Sequence, residues 1–350
     1  MGRSSLLTPS PWKNTAPLPP RFPDVPRRWS SCPADRAGNP CRNLLMPDPR
    51  GSRSWRALSF FVLAAVPVSV YANGPPPRTE TAFVTGLQGA AFRSFVDRMD
   101  RSAPGRDLSV LAVPLIVPYE IIPNRLVIAG AIAYLDKELV LSQGGQRRRL
   151  GDSGFGDLTL KAKYRIVQRD RPRRTTRLSL LAFLKLPTGE DDQRSADGLL
   201  LPPSLQLGTG SVDYAGGAVI TALRQRWGIN GDLIYKVKTG DDGFRFGNML
   251  QFDAALAFRA SPRVYGTYPS PQLNIFLEFN GVHNERNRAG GTDVAASGGT
   301  SLFIAPGIQY MIGRTFLVEG SLQLPVVENL HGDQLEADYS LRLGIRWLIL

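Results

Sequence analysis

The sequence predicts an all-β fold, an antiparallel up-and-down transmembrane β-barrel of about twelve strands. Three observations predict it: apolar and polar residues alternate with period two, connections alternate between short and long, and an apolar run behind a cluster of arginines reads as an export signal. The alternation is clearest where Leu158, Leu160, Ala162, Tyr164 and Ile166 face one way and Asp157, Thr159, Lys161, Lys163 and Arg165 the other. Ile229, Leu233, Tyr235 and Val237 against Asn230, Asp232, Lys236 and Lys238 repeat it. So do Leu273, Ile275, Leu277 and Phe279 against Asn274, Glu278 and Asn280. The terminal strand sets Tyr339, Leu341, Leu343, Ile345 and Trp347 against Ser340, Arg342, Gly344 and Arg346. A helix would scatter these charges around its circumference, whereas a strand segregates them.

Read in order, the strands are expected near 82–98, 108–119, 125–136, 156–167, 177–187, 212–223, 228–238, 249–259, 272–282, 301–311, 315–326 and 338–350. The turns around Ile121–Asn124, Arg224–Trp227 and Ile312–Arg314 are short. The connections 137–155, 186–211, 283–300 and 327–337 are long, and are expected to be loops. A soluble sandwich gives no reason for connection lengths to alternate. A barrel in an outer membrane does, because its periplasmic turns are short and its outer loops long. A closed sheet also leaves no backbone group unpaired in lipid.

The net charge of +12 raises nucleic acid as a partner, but the charge is unevenly placed. Residues 1–72 hold ten basic against three acidic side chains, and the remainder 32 against 27, too dispersed for a phosphate-binding face. No nucleic-acid partner is expected. Residues 1–45 show no periodicity and read as unstructured, an over-extended translation start with Met46 as the initiator. Residues 46–72 read as a signal peptide: Arg50, Arg53 and Arg56 precede an apolar run to Ala72, with Val70 and Ala72 as the cleavage signal, so the mature barrel is expected to span 73–350. A membrane anchor fits less well, because Pro67 interrupts a run already shorter than the roughly 18–20 residues needed to span. Cys32 and Cys41 both lie in the excluded segment, so thiol chemistry is not expected of the barrel.

Three motifs in series, Gly154-Phe-Gly-Asp-Leu-Thr-Leu-Lys-Ala-Lys-Tyr164, Leu184-Lys-Leu-Pro-Thr-Gly189 and Leu207-Gly-Thr-Gly-Ser-Val-Asp213, carry a resemblance. From about residue 108 onward the chain resembles the bacterial outer-membrane barrels labelled putative MetA-pathway of phenol degradation. The resemblance implies a barrel found with aromatic-degradation genes that passes small, often apolar, compounds. It supplies no catalytic residues. Leu350 stands where an aromatic residue commonly ends such barrels.

Each candidate site also has a plainer role. The Gly154-Phe-Gly156 and Gly208-Thr-Gly210 runs open no helix, so they read as turns rather than phosphate loops. Glu190-Asp-Asp192 and Asp241-Asp242 read as solvated loop tips before Ca²⁺ ligands. His283 and His331 are too scattered for a metal, and no serine stands at a spacing that would make His283 part of a lipid hydrolase. No catalytic residue, metal or cofactor is expected. By parity, Lys161, Lys163, Arg165, Arg177 and Lys185 form a basic arc in the lumen, and Asp232, Asp253 and Glu278 an acidic arc opposite. These charges either set a transverse field across a constriction or pair and plug a narrow lumen. Glu319 and Arg346 are expected as a structural pair. The expected function is an outer-membrane channel or diffusion transporter for small solutes, aromatic or apolar ones included. The alternatives are a barrel-embedded lipid-modifying enzyme and a non-conducting barrel whose outer loops bind a partner. Outer-membrane lipid is the other expected contact, and the sequence sets no oligomeric state.

Overall fold

The computed structural model describes residues 75–84, 90–195, 197–264, 270–313 and 315–349, so the expected signal peptide and the segment before it lie outside the described residues. The strands are β1 (Ala90–Ala103), β2 (Arg106–Ile122), β3 (Leu126–Gln143), β4 (Gln146–Phe155), β5 (Leu158–Arg171), β6 (Arg174–Leu186), β7 (Asp213–Arg224) and β8 (Trp227–Val237). There follow β9 (Gly240–Asp241), β10 (Phe244–Arg245), β11 (Met249–Ser261), β12 (Gln272–Asn284), β13 (Arg288–Ala289), β14 (Thr292–Asp293), β15 (Gly299–Ile312), β16 (Phe316–Leu330) and β17 (Glu336–Ile349). Twelve of them close a ring, in which each strand pairs antiparallel with its neighbours and β1 pairs with β17. The four two-residue strands β9, β10, β13 and β14 pair with one another in a small separate sheet built from two long loops.

Burial is inverted relative to a soluble protein. Ile229, Leu233, Phe279, Leu343 and Trp347 are among the exposed side chains, while Asn274, Glu278, Gln309 and Arg177 are buried. Each strand therefore turns its apolar face outward, as the period-two pattern requires when the surroundings are hydrocarbon. Aromatic residues gather in two exposed belts: Tyr119, Trp227, Tyr310 and Trp347 near the end of the barrel with short turns, and Tyr134, Phe155, Tyr214 and Tyr235 near the end with long loops. Such belts mark the two membrane interfaces.

Two expectations are corrected. The first strand does not begin at 82; β1 starts at Ala90, and Ala82, Phe83 and Val84 belong to a non-strand segment. The Ala82 N–H donates to Thr221 Oγ1 at 2.9 Å and its carbonyl accepts from Ser179 Oγ at 2.8 Å, so side chains of the wall satisfy backbone groups that a ladder would otherwise take. The long connection 137–155 is not an irregular loop either. It is the upper half of β3 paired with β4 around a Gly144-Gly145 turn, whose residues both have positive φ. Charged residues on both strands hid this hairpin, because above the aromatic belt neither face meets lipid and the apolar alternation lapses.

Candidate functional site: an occupied lumen

Residues 75–84 run inside the barrel. Starting near the turn end, the carbonyls of three consecutive prolines accept hydrogen bonds from wall residues: Pro75 from Gln309 Nε2 at 3.0 Å, Pro76 from Arg346 Nη2 at 2.9 Å, and Pro77 from Arg93 Nη2 at 2.6 Å and Arg342 Nη1 at 3.0 Å. Proline has no N–H and a fixed φ, so this stretch enters extended and asks the wall only for donors. The segment then crosses the lumen at mid-height. Arg78 N and Thr79 N donate to the Glu278 carboxylate at 3.1 and 2.6 Å, and Glu80 N donates to Asp232 Oδ2 at 2.8 Å. On the far side it descends, with Thr81 Oγ1 3.1 Å from Thr221 Oγ1 and the Arg177 guanidinium 4.8 Å from the centre of the Phe83 ring.

The lumenal charges hold this segment. Lys161 and Lys163 converge on the Glu80 carboxylate, the second at 3.2 Å, and Lys163 also donates to the Thr81 carbonyl at 2.6 Å. Asp232 and Asp253 are direct cross-strand partners on β8 and β11, and Glu278 lies on the next strand. The first and third of these accept backbone N–H groups from the segment; Asp253 accepts from Gln251 Nε2 at 2.7 Å. Arg165 and Arg177 are buried nearer the turn end. Lys185 is not with the others. It sits at the loop-end rim, 2.7 Å from Asp157 and 3.1 Å from Asp213. Glu319 and Arg346 are 2.7 Å apart, and Arg93 joins them at 3.1 Å from Glu319. Arg78 reaches the β16 and β17 wall, bonding Ser321 Oγ at 3.1 Å and the Ser340 carbonyl at 2.8 Å.

The three motifs that carry the family resemblance meet at that same rim. Asp157 accepts from Gly189 N at 3.0 Å and Thr209 N at 3.2 Å, and Thr188 Oγ1 accepts from Leu158 N at 2.8 Å. Gly189 and Gly208 touch backbone to backbone: a Cβ on Gly208 would lie 2.2 Å from the Gly189 carbonyl oxygen, so neither position has room for a side chain. This knot anchors the connection between β6 and β7, whose Leu201, Leu205 and Leu207 are buried.

A family model described as Putative MetA-pathway of phenol degradation matches residues 112–326. The chain belongs to this family. Its fold is similar to the crystal structure of the COG4313 outer membrane channel from Pseudomonas putida F1, at 16% identity and a TM-score of 0.54 over 79% of this chain and 100% of that one. The β domain of the Bordetella autotransporter BrkA aligns at 10% identity and a TM-score of 0.40, over 75% of this chain and 99% of that one. The transport unit of the Escherichia coli autotransporter AIDA-I aligns at 12% and 0.41, over 75% and 90%. No curated protein matches the chain. It is an outer-membrane β-barrel.

Within this family member, a vestibule of about 640 Å³ opens on the loop side of the crossing segment. Its wall mixes apolar Met99, Met249 and Phe303 with the amides of Gln251, Asn280 and Gln323, and Arg78 and Arg342 form part of its lining. Sequence reasoning placed the wall charges by parity but missed the segment they bind. The signal was present in Pro75-Pro76-Pro77, three consecutive residues with no N–H to give a ladder. His283, weighed as an enzyme residue, is 2.9 Å from Thr300 Oγ1 through Nδ1.

Proposed function

We propose that this barrel is a diffusion channel for small solutes, closed at mid-height by residues 75–84 and opened when that segment withdraws toward the turn end. One observation carries the reading: Lys161, Lys163, Asp232 and Glu278 on the wall are spent on the backbone and the single carboxylate of a segment that crosses the pore. Both ends of the segment lie toward the turn end, near Gln309 and Arg177, so it leaves as a loop without unthreading. The two arcs thus act as a latch when the segment is in place and as a transverse field when it is out. The solutes are small ring compounds bearing a polar group, a reading supported by the phenol degradation in the family description. Methionine and phenylalanine side chains beside amides in the vestibule suit such molecules, offering apolar contact on one side and hydrogen bonds on the other. Deleting residues 75–84 and recording single channels in planar bilayers tests the reading. Conductance should rise several-fold with the barrel still folded; an unchanged conductance would refute closure by this segment.

A further inference from the structure

At the turn end, the register sets an unusual row. Arg171 pairs with Arg174, Arg174 with Arg224, Arg224 with Trp227, and Trp227 with Phe258, so five cross-strand partners on β5, β6, β7, β8 and β11 point to one face. That face is the outer one, because Trp227 belongs to the exposed belt, and all three arginines are exposed. Directly opposed side chains sit about 5 Å apart, and like charges at that spacing are destabilising. No carboxylate among the described residues relieves them. Among the described residues the only acid at this end of β5 to β8 is Asp170, which pairs with Thr175 on the opposite face and bonds Gln168, Thr175 and Arg177. Arg169, two residues further into the membrane on the outer face, adds a fourth cation, paired with Thr176.

We infer that this row is a docking surface for anionic glycerophospholipid of the periplasmic leaflet, with phosphate bridging Arg171, Arg174 and Arg224. Short turns face the periplasm in outer-membrane barrels, which puts the row at headgroup depth on that side. An indole next to the arginines lies where acyl chain meets headgroup, and arginine stems lie along apolar surface while their guanidiniums reach the phosphates. A soluble acidic partner would meet the turn-tip cations Arg125, Arg173 and Arg263, which are exposed. Here the row instead faces the lipid, continuous with Ile275 on β12, which pairs with Phe258. The inference is independent of whether the pore conducts.

The test uses the full barrel in nanodiscs of equimolar phosphatidylethanolamine and phosphatidylglycerol, released into native mass spectrometry. Wild-type protein should retain phosphatidylglycerol in preference to phosphatidylethanolamine. R171Q/R174Q/R224Q should lose that preference by on the order of tenfold or more, since each surface cation contributes measurably to anionic-lipid attraction. A control removing charge from exposed turn-end positions on other hairpins, R125Q/R263Q, should keep it where R171Q/R174Q loses it. Heat-modifiable migration checks folding, and Arg174→Gln alone gives a smaller loss if the triple variant does not assemble. Equal loss in the control would reduce the effect to diffuse charge and overturn the site. So would displacement of phosphatidylglycerol by inorganic phosphate, or the absence of any lipid preference together with arginine-dependent capture of an acidic periplasmic protein.

Discussion

Glu80 holds its carboxylate between Lys161 and Lys163 while its own N–H is spent on Asp232, so one residue engages both arcs at once. Removing its charge leaves two partly buried ammonium groups facing each other without their counter-ion. Glu80→Gln should weaken the closed state by about 2 kcal/mol, roughly a thirtyfold change in the ratio of withdrawn to inserted segment. Open probability in single-channel records should rise accordingly, and an unchanged or lower value would count against the latch. Parity along β5 was enough to place Lys161 and Lys163 in the lumen. Their partner was not legible, because it lies 81 and 83 positions away in a segment with no periodicity of its own. The pair Glu319 and Arg346 was easier to see, since both sit on strands whose order follows from the chain.

On β5 the alternation separates Leu160, exposed toward lipid, from Lys161, bound in the lumen. An arginine at the bilayer midplane costs roughly 2–4 kcal/mol on the lipid face, whereas a polar residue inside does not enter hydrocarbon. Leu160→Arg should therefore impair barrel assembly, read as loss of the heat-modifiable form, far more than Lys161→Ser, whose effect should fall on gating instead. The reverse order would mean a register shifted by one residue. Strands lying wholly within the membrane were legible because lipid on one face and a polar lumen on the other enforce period two. That constraint ends above the Tyr134 and Phe155 belt, which is why the β3 and β4 hairpin read as a loop. It is also absent inside the pore, where Ala82 and Val84 are buried without being strand residues and continued the apolar pattern of β1 by coincidence.

Over the whole molecule, closing the sheet places opposite charges across the pore, and the crossing segment bonds to both sides. With residues 75–84 deleted, a permeating ion passes between Lys161 and Lys163 on one wall and Asp232, Asp253 and Glu278 on the other, where low-dielectric surroundings limit screening. In that background, Asp253→Asn with Glu278→Gln should lower the cation-to-anion permeability ratio and Lys161→Gln with Lys163→Gln should raise it. A ratio indifferent to both pairs would leave the arcs as a latch alone. The most direct test of the segment's role pins it in place. Thr81 Oγ1 and Thr221 Oγ1 are 3.1 Å apart across the boundary between segment and wall, and both cysteines of the sequence lie at positions 32 and 41, upstream of the barrel. A chain with Thr81→Cys and Thr221→Cys, begun after position 72, should form a disulfide under oxidising conditions. Single-channel conductance should then fall to its lowest level and recover on reduction; conductance that stays the same with the crosslink formed would contradict closure of the pore by residues 75–84.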